Sequence, residues 1–234
     1  MLNEKKAVLT ERKQVSDKVT YYKFKMQDPA TVDFKAGQYI NIKVSENARR
    51  SYSIASEPSL KVELELYVDT LPGGPGSIFF EKIKIGEIIE FLGPIGMFVF
   101  DESNTNVKSY LFIATGTGIA PFLSMIKEQL KLGNNKPMHI IFGLRFIKDV
   151  YLKEELDELS KKHSNLTYEI ILSKPEDKTW SGKVGHVQDL INEVEDFDNL
   201  AGYICGNQKM ISDVQELLKT KGVNADNIHF EKFY

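Results

Sequence analysis

Thr115, Gly116, Thr117 and Gly118 are the residues best placed to do chemistry, because an apolar run of strand length, Tyr110 to Ala114, leads straight into them and a helical pattern follows at once. Glycine at 116 and 118 removes the Cβ atoms that would hold a ligand away from the backbone, and Pro121 suits the first turn of a helix. A phosphate at such a junction meets N–H groups without partners and the positive end of a helix dipole. The spacing departs from the Gly-x-Gly-x-x-Gly dinucleotide fingerprint, since Pro121 stands where the third glycine would fall. A strand followed by Gly-x-Gly is in itself also the pattern of an ordinary turn.

Other residues could bind anions or flat rings. In Arg50-Ser51-Tyr52-Ser53 an arginine able to clamp a phosphate precedes a ring and a short hydroxyl suited to an aromatic heterocycle, although an edge strand would carry the same residues. Gly73-Gly74-Pro75-Gly76-Ser77 reads either as a tight turn with a helix cap or as a second anion cradle. Cys205 is the single cysteine, which excludes an internal disulfide and any cysteine-built zinc or iron–sulfur cluster and favours a reducing cytoplasm. His139, His163, His186 and His229 show no ligand spacing, so no metal is expected. A net charge of -3 with interspersed signs gives no global field for nucleic acid.

The elements that must position these residues change character midway. Up to about residue 100 the runs are short and strand-like, at 8–9, 20–26, 39–44, 51–55, 62–68 and 88–92, with one helical stretch at 77–84. That pattern predicts a small antiparallel barrel or sandwich. After a polar linker at 101–106, strands at 109–114, 138–142, 167–172, 202–205 and 228–233 alternate with helices at 121–132, 151–163, 187–194 and 209–221. Alternation of this kind predicts a doubly wound parallel sheet with ligands at the carboxyl ends of its strands. The polar residues 3–6 argue against a signal peptide, and the uncharged run 110–126 is interrupted at its middle, so no membrane insertion is expected.

The order of Arg50-Ser-Tyr-Ser53, Gly74-Pro-Gly-Ser77, Gly93-Pro-Ile-Gly-Met-Phe98, Thr115-Gly-Thr-Gly-Ile-Ala-Pro121, Cys205-Gly-Asn-Gln-Lys-Met210 and an aromatic C-terminus resembles the ferredoxin-NADP reductase superfamily over essentially the whole chain. The resemblance implies an antiparallel β-barrel FAD-binding domain at 1–101, then an α/β doubly wound parallel-sheet NAD(P)-binding domain at 102–234 with a C-terminal aromatic tail. It also implies roles. Arg50 would hold the flavin pyrophosphate with Ser51 beside it, and Tyr52 and Ser53 would lie against the isoalloxazine, Ser53 near its N5. Leu66, Tyr67 and Val68 would form the second flavin-lining strand, with Gly74, Gly76 and Ser77 completing phosphate binding. Thr117 would approach the flavin while Thr115, Gly116 and Gly118 admit the nicotinamide nucleotide. Cys205, Gly206 and Met210 would line that same nucleotide, Cys205 positioning the ring rather than attacking it. Glu231 is a candidate proton relay or nicotinamide contact, and Phe233 and Tyr234 would pack on FAD.

Arg145, Ser173, Lys174 and Lys183 lie in loops leaving the carboxyl side of the expected sheet, where the family grips a 2′-phosphate. NADP(H) is therefore favoured over NAD(H), although Glu176 and Asp177 stand close by and surface charges would look the same. The activity implied is a monomeric FAD oxidoreductase passing hydride from NAD(P)H to FAD and electrons onward to a separate ferredoxin or flavodoxin. Alternatives are an oxygenase reductase component, a free-flavin reductase, and a non-enzymatic nucleotide-binding sensor or assembly subunit.

Overall fold

A computed structural model of the chain describes residues 3–71, 73–176 and 179–232. The chain divides into two units, residues 1–100 with 120–132 and residues 101–119 with 133–234.

The first unit is a six-stranded antiparallel sheet in which β1 (Lys5–Gln14), β2 (Val19–Asp28), β3 (Tyr39–Ser45), β4 (Ala48–Ser53), β5 (Glu63–Asp69) and β6 (Ile88–Ile95) run in the order β4-β3-β6-β1-β2-β5. Side chains alternate across a strand, so Ile40, Ile42 and Val44 of β3 and Leu64, Leu66 and Val68 of β5 all enter one core. Helix α1 (Pro75–Lys82) adds Phe80 to that core, and the Tyr22 hydroxyl donates to the Phe80 carbonyl at 2.7 Å. Helix α2 (Ala120–Lys131) follows the glycine turn in sequence but packs here. Its Phe122 ring lies 6.1 Å from that of Phe98, and its Glu128 carboxylate accepts the Ser59 N–H at 3.2 Å.

The second unit is a parallel sheet of β7 (Ser109–Thr115), β8 (Met138–Leu144), β9 (Leu166–Leu172), β10 (Lys183–Val184), β11 (Leu200–Gly206) and β12 (Ile228–Lys232), ordered β10-β9-β8-β7-β11-β12. The interior strands β7 and β11 are buried along nearly their whole length, as expected for strands covered on both faces. Helices α3 (Lys153–Lys162), α4 (Val187–Ile191) and α5 (Gln208–Thr220) connect the strands, and Ile211, Val214 and Leu218 of α5 pack on Leu111, Ile113 and Ile204. No helix among the described residues is long and apolar enough to cross a membrane.

Several elements differ from the sequence expectation: α4 ends at Ile191 rather than 194, α1 starts two residues earlier, and β4 runs from Ala48 to Ser53. Strand β1 is far longer than residues 8–9, because its polar outer half, Thr10 to Gln14, is exposed yet pairs with β2. Strand β10 was expected as loop, and Tyr151 and Leu152 precede α3 rather than opening it.

Candidate functional site

In the first unit the two outermost strands of the sheet, β4 and β5, each keep one backbone edge without a strand partner among the described residues. Beyond them the Ala55 N–H donates to Glu65 O at 2.8 Å, and the Ser56 hydroxyl accepts the Glu65 N–H at 3.3 Å, which ties the two edges together at one end. Donors and acceptors along such edges can meet the rim of a planar heterocycle. The Ser53 hydroxyl is buried and has no hydrogen-bond partner, so it is an unspent polar group at this edge.

Arg50, Tyr52 and Gly76 come together beside this slot. A Cβ on Gly76 would overlap the Tyr52 hydroxyl and crowd the Arg50 Cγ, so only glycine lets the start of α1 approach β4 this closely. The Tyr52 ring is held edge-on by Phe80 at 4.8 Å, and burial pushes its hydroxyl up to about 12, keeping it protonated. Arg49 is committed to Glu4 and to the Asn41 carbonyl. Arg50, in contrast, is exposed, bonds only the Arg49 carbonyl at 2.8 Å and faces no carboxylate among the described residues. Helix α1 has Gly74 as its N-cap with no side-chain cap, so the Gly76 and Ser77 amides in its first turn lack intrahelical partners. An unpaired arginine beside free first-turn amides suits a pyrophosphate, and the edge slot suits a flat ring. Tyr67 lies 5.3 Å from Tyr21, whereas Leu66 and Val68 point into the core, leaving only their backbone for a ligand. Ser51 is exposed on β4. Phe233 and Tyr234 lie outside the described residues.

In the second unit Thr115 ends β7, and Gly116 to Ile119 form a single 3-10 turn that leads into α2. The adjacent strand β11 ends at Cys205 and Gly206, in register with Ala114. A Cβ on Gly118 would overlap the Cys205 carbonyl, and Gly206 abuts Thr115, so the two strand ends close on each other. Thr117 is half-buried in the turn. Met210 lies in the core against Gly206, its amide capped by the Asn207 side chain at 2.9 Å. Asn207 also donates its N–H to the Thr115 hydroxyl at 3.4 Å, a link the sequence reading missed despite the cap-like position of Asn207 before a helical pattern.

Cys205 pairs in register with Glu231 on β12. Burial, and then the nearby Glu231 carboxylate, push the Cys205 thiol well up. Burial raises Glu231 to about 7, and its Oε2 has no hydrogen-bond partner. The thiol is thus inert at neutral pH, while the carboxyl changes charge there.

The basic residues are not equivalent. Lys174 donates its N–H to the Arg145 carbonyl at 2.8 Å and Ser173 donates to Leu144 O at 3.0 Å, so the loops after β8 and β9 are joined. The Arg145 guanidinium lies over the Phe146 ring at 5.0 Å and is exposed. Lys183 is already paired with Glu193 at 2.7 Å.

A six-stranded antiparallel sheet followed by a parallel sheet with a glycine turn at its carboxyl edge is the arrangement of the two-domain dinucleotide-binding oxidoreductases. Residues 6–100 match the oxidoreductase FAD-binding domain family and residues 112–216 the oxidoreductase NAD-binding domain family. The chain is 33% identical to ferredoxin–NADP reductase B of Sorangium cellulosum (strain So ce56), over 90% of this chain and 89% of that protein. It is 30% identical to the reductase component of propane 2-monooxygenase of Rhodococcus jostii (strain RHA1), over 88% of this chain but only 57% of that protein. A ferredoxin NADP+ reductase from Neisseria gonorrhoeae with bound FAD and NADP shares the fold at TM-score 0.84 and 21% identity, over 99% of both chains. The chain belongs to the ferredoxin-NADP reductase superfamily. It is a flavin-dependent oxidoreductase that moves electrons between NAD(P)H, FAD and a partner.

Proposed function

We propose that this chain oxidises NADPH and delivers the electrons singly to a separate ferredoxin or flavodoxin in the cytoplasm. Bound FAD supplies the redox chemistry, linking a two-electron donor to one-electron acceptors. The protein's share is binding and orientation. Arg50 takes the pyrophosphate together with the Gly76 and Ser77 amides at the start of α1. Tyr52 supports the flavin ring, and the free edges of β4 and β5 supply its rim with hydrogen bonds. Ser53 would offer its unpartnered hydroxyl to the flavin ring. Thr115 to Gly118 with Cys205 and Gly206 receive the nicotinamide nucleotide, with Cys205 acting by shape because its thiol stays protonated. Glu231, raised to about 7, holds or releases a proton at Oε2 near neutral pH.

Arg145 and Lys174 take the 2′-phosphate of NADPH, Arg145 with a guanidinium fork and Lys174 as a point charge. Lys183 contributes less, because Glu193 already neutralises it. The names of the oxygenase-reductase relatives support a second acceptor, an oxygenase component. One cysteine cannot hold an iron–sulfur cluster within these residues, which supports an acceptor outside them.

The observation that carries this reading is the Arg50, Tyr52 and Gly76 cluster at the free edges of β4 and β5. Anaerobic mixing of the FAD-loaded protein with NADPH should bleach the flavin absorbance, faster than with NADH. An unchanged spectrum with both nucleotides would refute the enzyme, and faster bleaching by NADH would refute the choice of NADPH. Reduced protein should then pass electrons to ferredoxin or flavodoxin while retaining FAD; release of free reduced flavin would count against the tight carrier role.

A further inference from the structure

Tyr151 belongs to no site that the sequence motifs mark, yet it is buried and touches the glycine turn. Its hydroxyl donates to the Gly116 carbonyl at 3.0 Å, and its ring meets Phe142 edge-on, centroids 5.5 Å apart and planes at 82°. The next residue, Leu152, is buried and lies at φ 66, ψ 0, the left-handed region that disfavours a branched side chain. Strain of this kind persists only where surrounding packing imposes it. Here the packing of Tyr151 and Leu152 holds the backbone so that the Tyr151 hydroxyl reaches Gly116.

We propose that Tyr151 is a positioning residue for the pyridine nucleotide. A peptide unit is planar and trans, so its C=O and N–H point in opposite directions. Holding the Gly116 oxygen toward Tyr151 therefore aims the Thr117 N–H away from Tyr151, and fixes the first amides of the turn, which have no intrahelical partners. Gly116 sits at φ +57, where a Cβ would meet open space, and it opens the 3-10 turn Gly116–Ile119, so the Tyr151 hydroxyl adds a side-chain hold to a peptide that the turn itself begins to order. The segment 145–152 is itself braced, because the Asp149 carboxylate accepts the Phe146 N–H at 3.2 Å. One short segment thus carries Arg145 at one end and the hold on the glycine turn at the other. The inference rests on reading residues 115–118 as the nucleotide turn.

The test is Tyr151→Phe, which removes the hydroxyl and keeps the ring against Phe142. Calorimetric titration of the FAD-loaded protein with NADP+ and with NAD+ gives the affinities, and ferricyanide reduction gives kcat and KM. Loss of this partly buried hydrogen bond should weaken binding of the preferred nucleotide roughly 3- to 10-fold and raise its KM similarly. Turnover at saturation and flavin content should stay at wild-type values, and the unfolding midpoint should fall only by the amount that one hydrogen bond contributes. Phe142→Leu is the packing comparator: it keeps the Tyr151 hydroxyl, so it should lower the midpoint more than Tyr151→Phe does and weaken the affinity less. Tyr151→Phe binding as tightly as wild type, or losing flavin and midpoint without a selective loss of nucleotide affinity, would overturn the proposal. Wild-type protein that binds neither nucleotide would overturn the dinucleotide reading itself.

Discussion

Replacing Glu231 by glutamine should stabilise the second unit at pH 8 and leave it nearly unchanged at pH 5. Burial raises this carboxyl from 4.5 to about 7, and no hydrogen bond to Oε2 offsets the desolvation. Between those two values the folded protein keeps a proton that the unfolded chain has lost, so stability falls as pH rises through the window and levels off above it. Each unit corresponds to about 1.4 kcal/mol, which bounds the effect at roughly 3 kcal/mol. Glu231 is only partly buried, so screening by solvent brings the expectation to about 1–2 kcal/mol. Trp180, the single tryptophan, lies in the second unit, and its fluorescence follows urea unfolding of that unit. Wild-type stability should decline from pH 5 to pH 8 relative to Glu231→Gln, because glutamine mimics the protonated acid at every pH. Other titrating groups are common to both proteins and cancel in the difference. A glutamine variant equal to or weaker than wild type at pH 8 would refute the reasoning, since it would mean that the charged carboxylate is solvated or paired in the folded state.

Gly118→Ala places a Cβ against the Cys205 carbonyl, a backbone group that cannot rotate away, and should destabilise the second unit by about 1–3 kcal/mol and abolish measurable NADP+ binding. Calorimetry and Trp180 fluorescence check both, and native affinity in that variant would contradict the close approach of the two strand ends. Arg50→Ala removes a charged phosphate donor and should weaken FAD binding about 10- to 100-fold. Flavin content after gel filtration reads the loss, and undiminished content would remove Arg50 from the cradle.

The division into an antiparallel sheet and a parallel one was legible because hydrophobic period differs between half-exposed and fully covered strands. Ile40, Ile42 and Val44 alternate with polar neighbours, whereas Leu111 to Ala114 run on without a break. Where backbone pairing alone defines an element, the sequence carried no such sign. The outer half of β1 is polar on both faces, and β10 is a two-residue pairing of Lys183 and Val184 with Ile171 and Leu172. Helix α2 shows a further limit. Its chain position puts it after the glycine turn, but its residues are buried almost all round, and its contacts with Phe98 and Ser59 group it with the first unit.

At the candidate site the glycine and arginine motifs were legible because each stands beside a strand end or a helix start. The partners that decide what each charged group can do were not. Arg49 and Arg50 are neighbours of the same type, yet Glu4, forty-five residues before Arg49, engages Arg49, and Arg50 meets no carboxylate among the described residues. Lys183 and Lys174 look alike in sequence, yet Glu193 neutralises only Lys183. Which cations stay available for an anion is therefore set by contacts between residues far apart in the chain, and residue type alone does not reveal it. The same logic separates Tyr151 from the other tyrosines: a left-handed Leu152 and a neighbouring strand bring its hydroxyl to Gly116, and no spacing rule along the chain encodes that meeting.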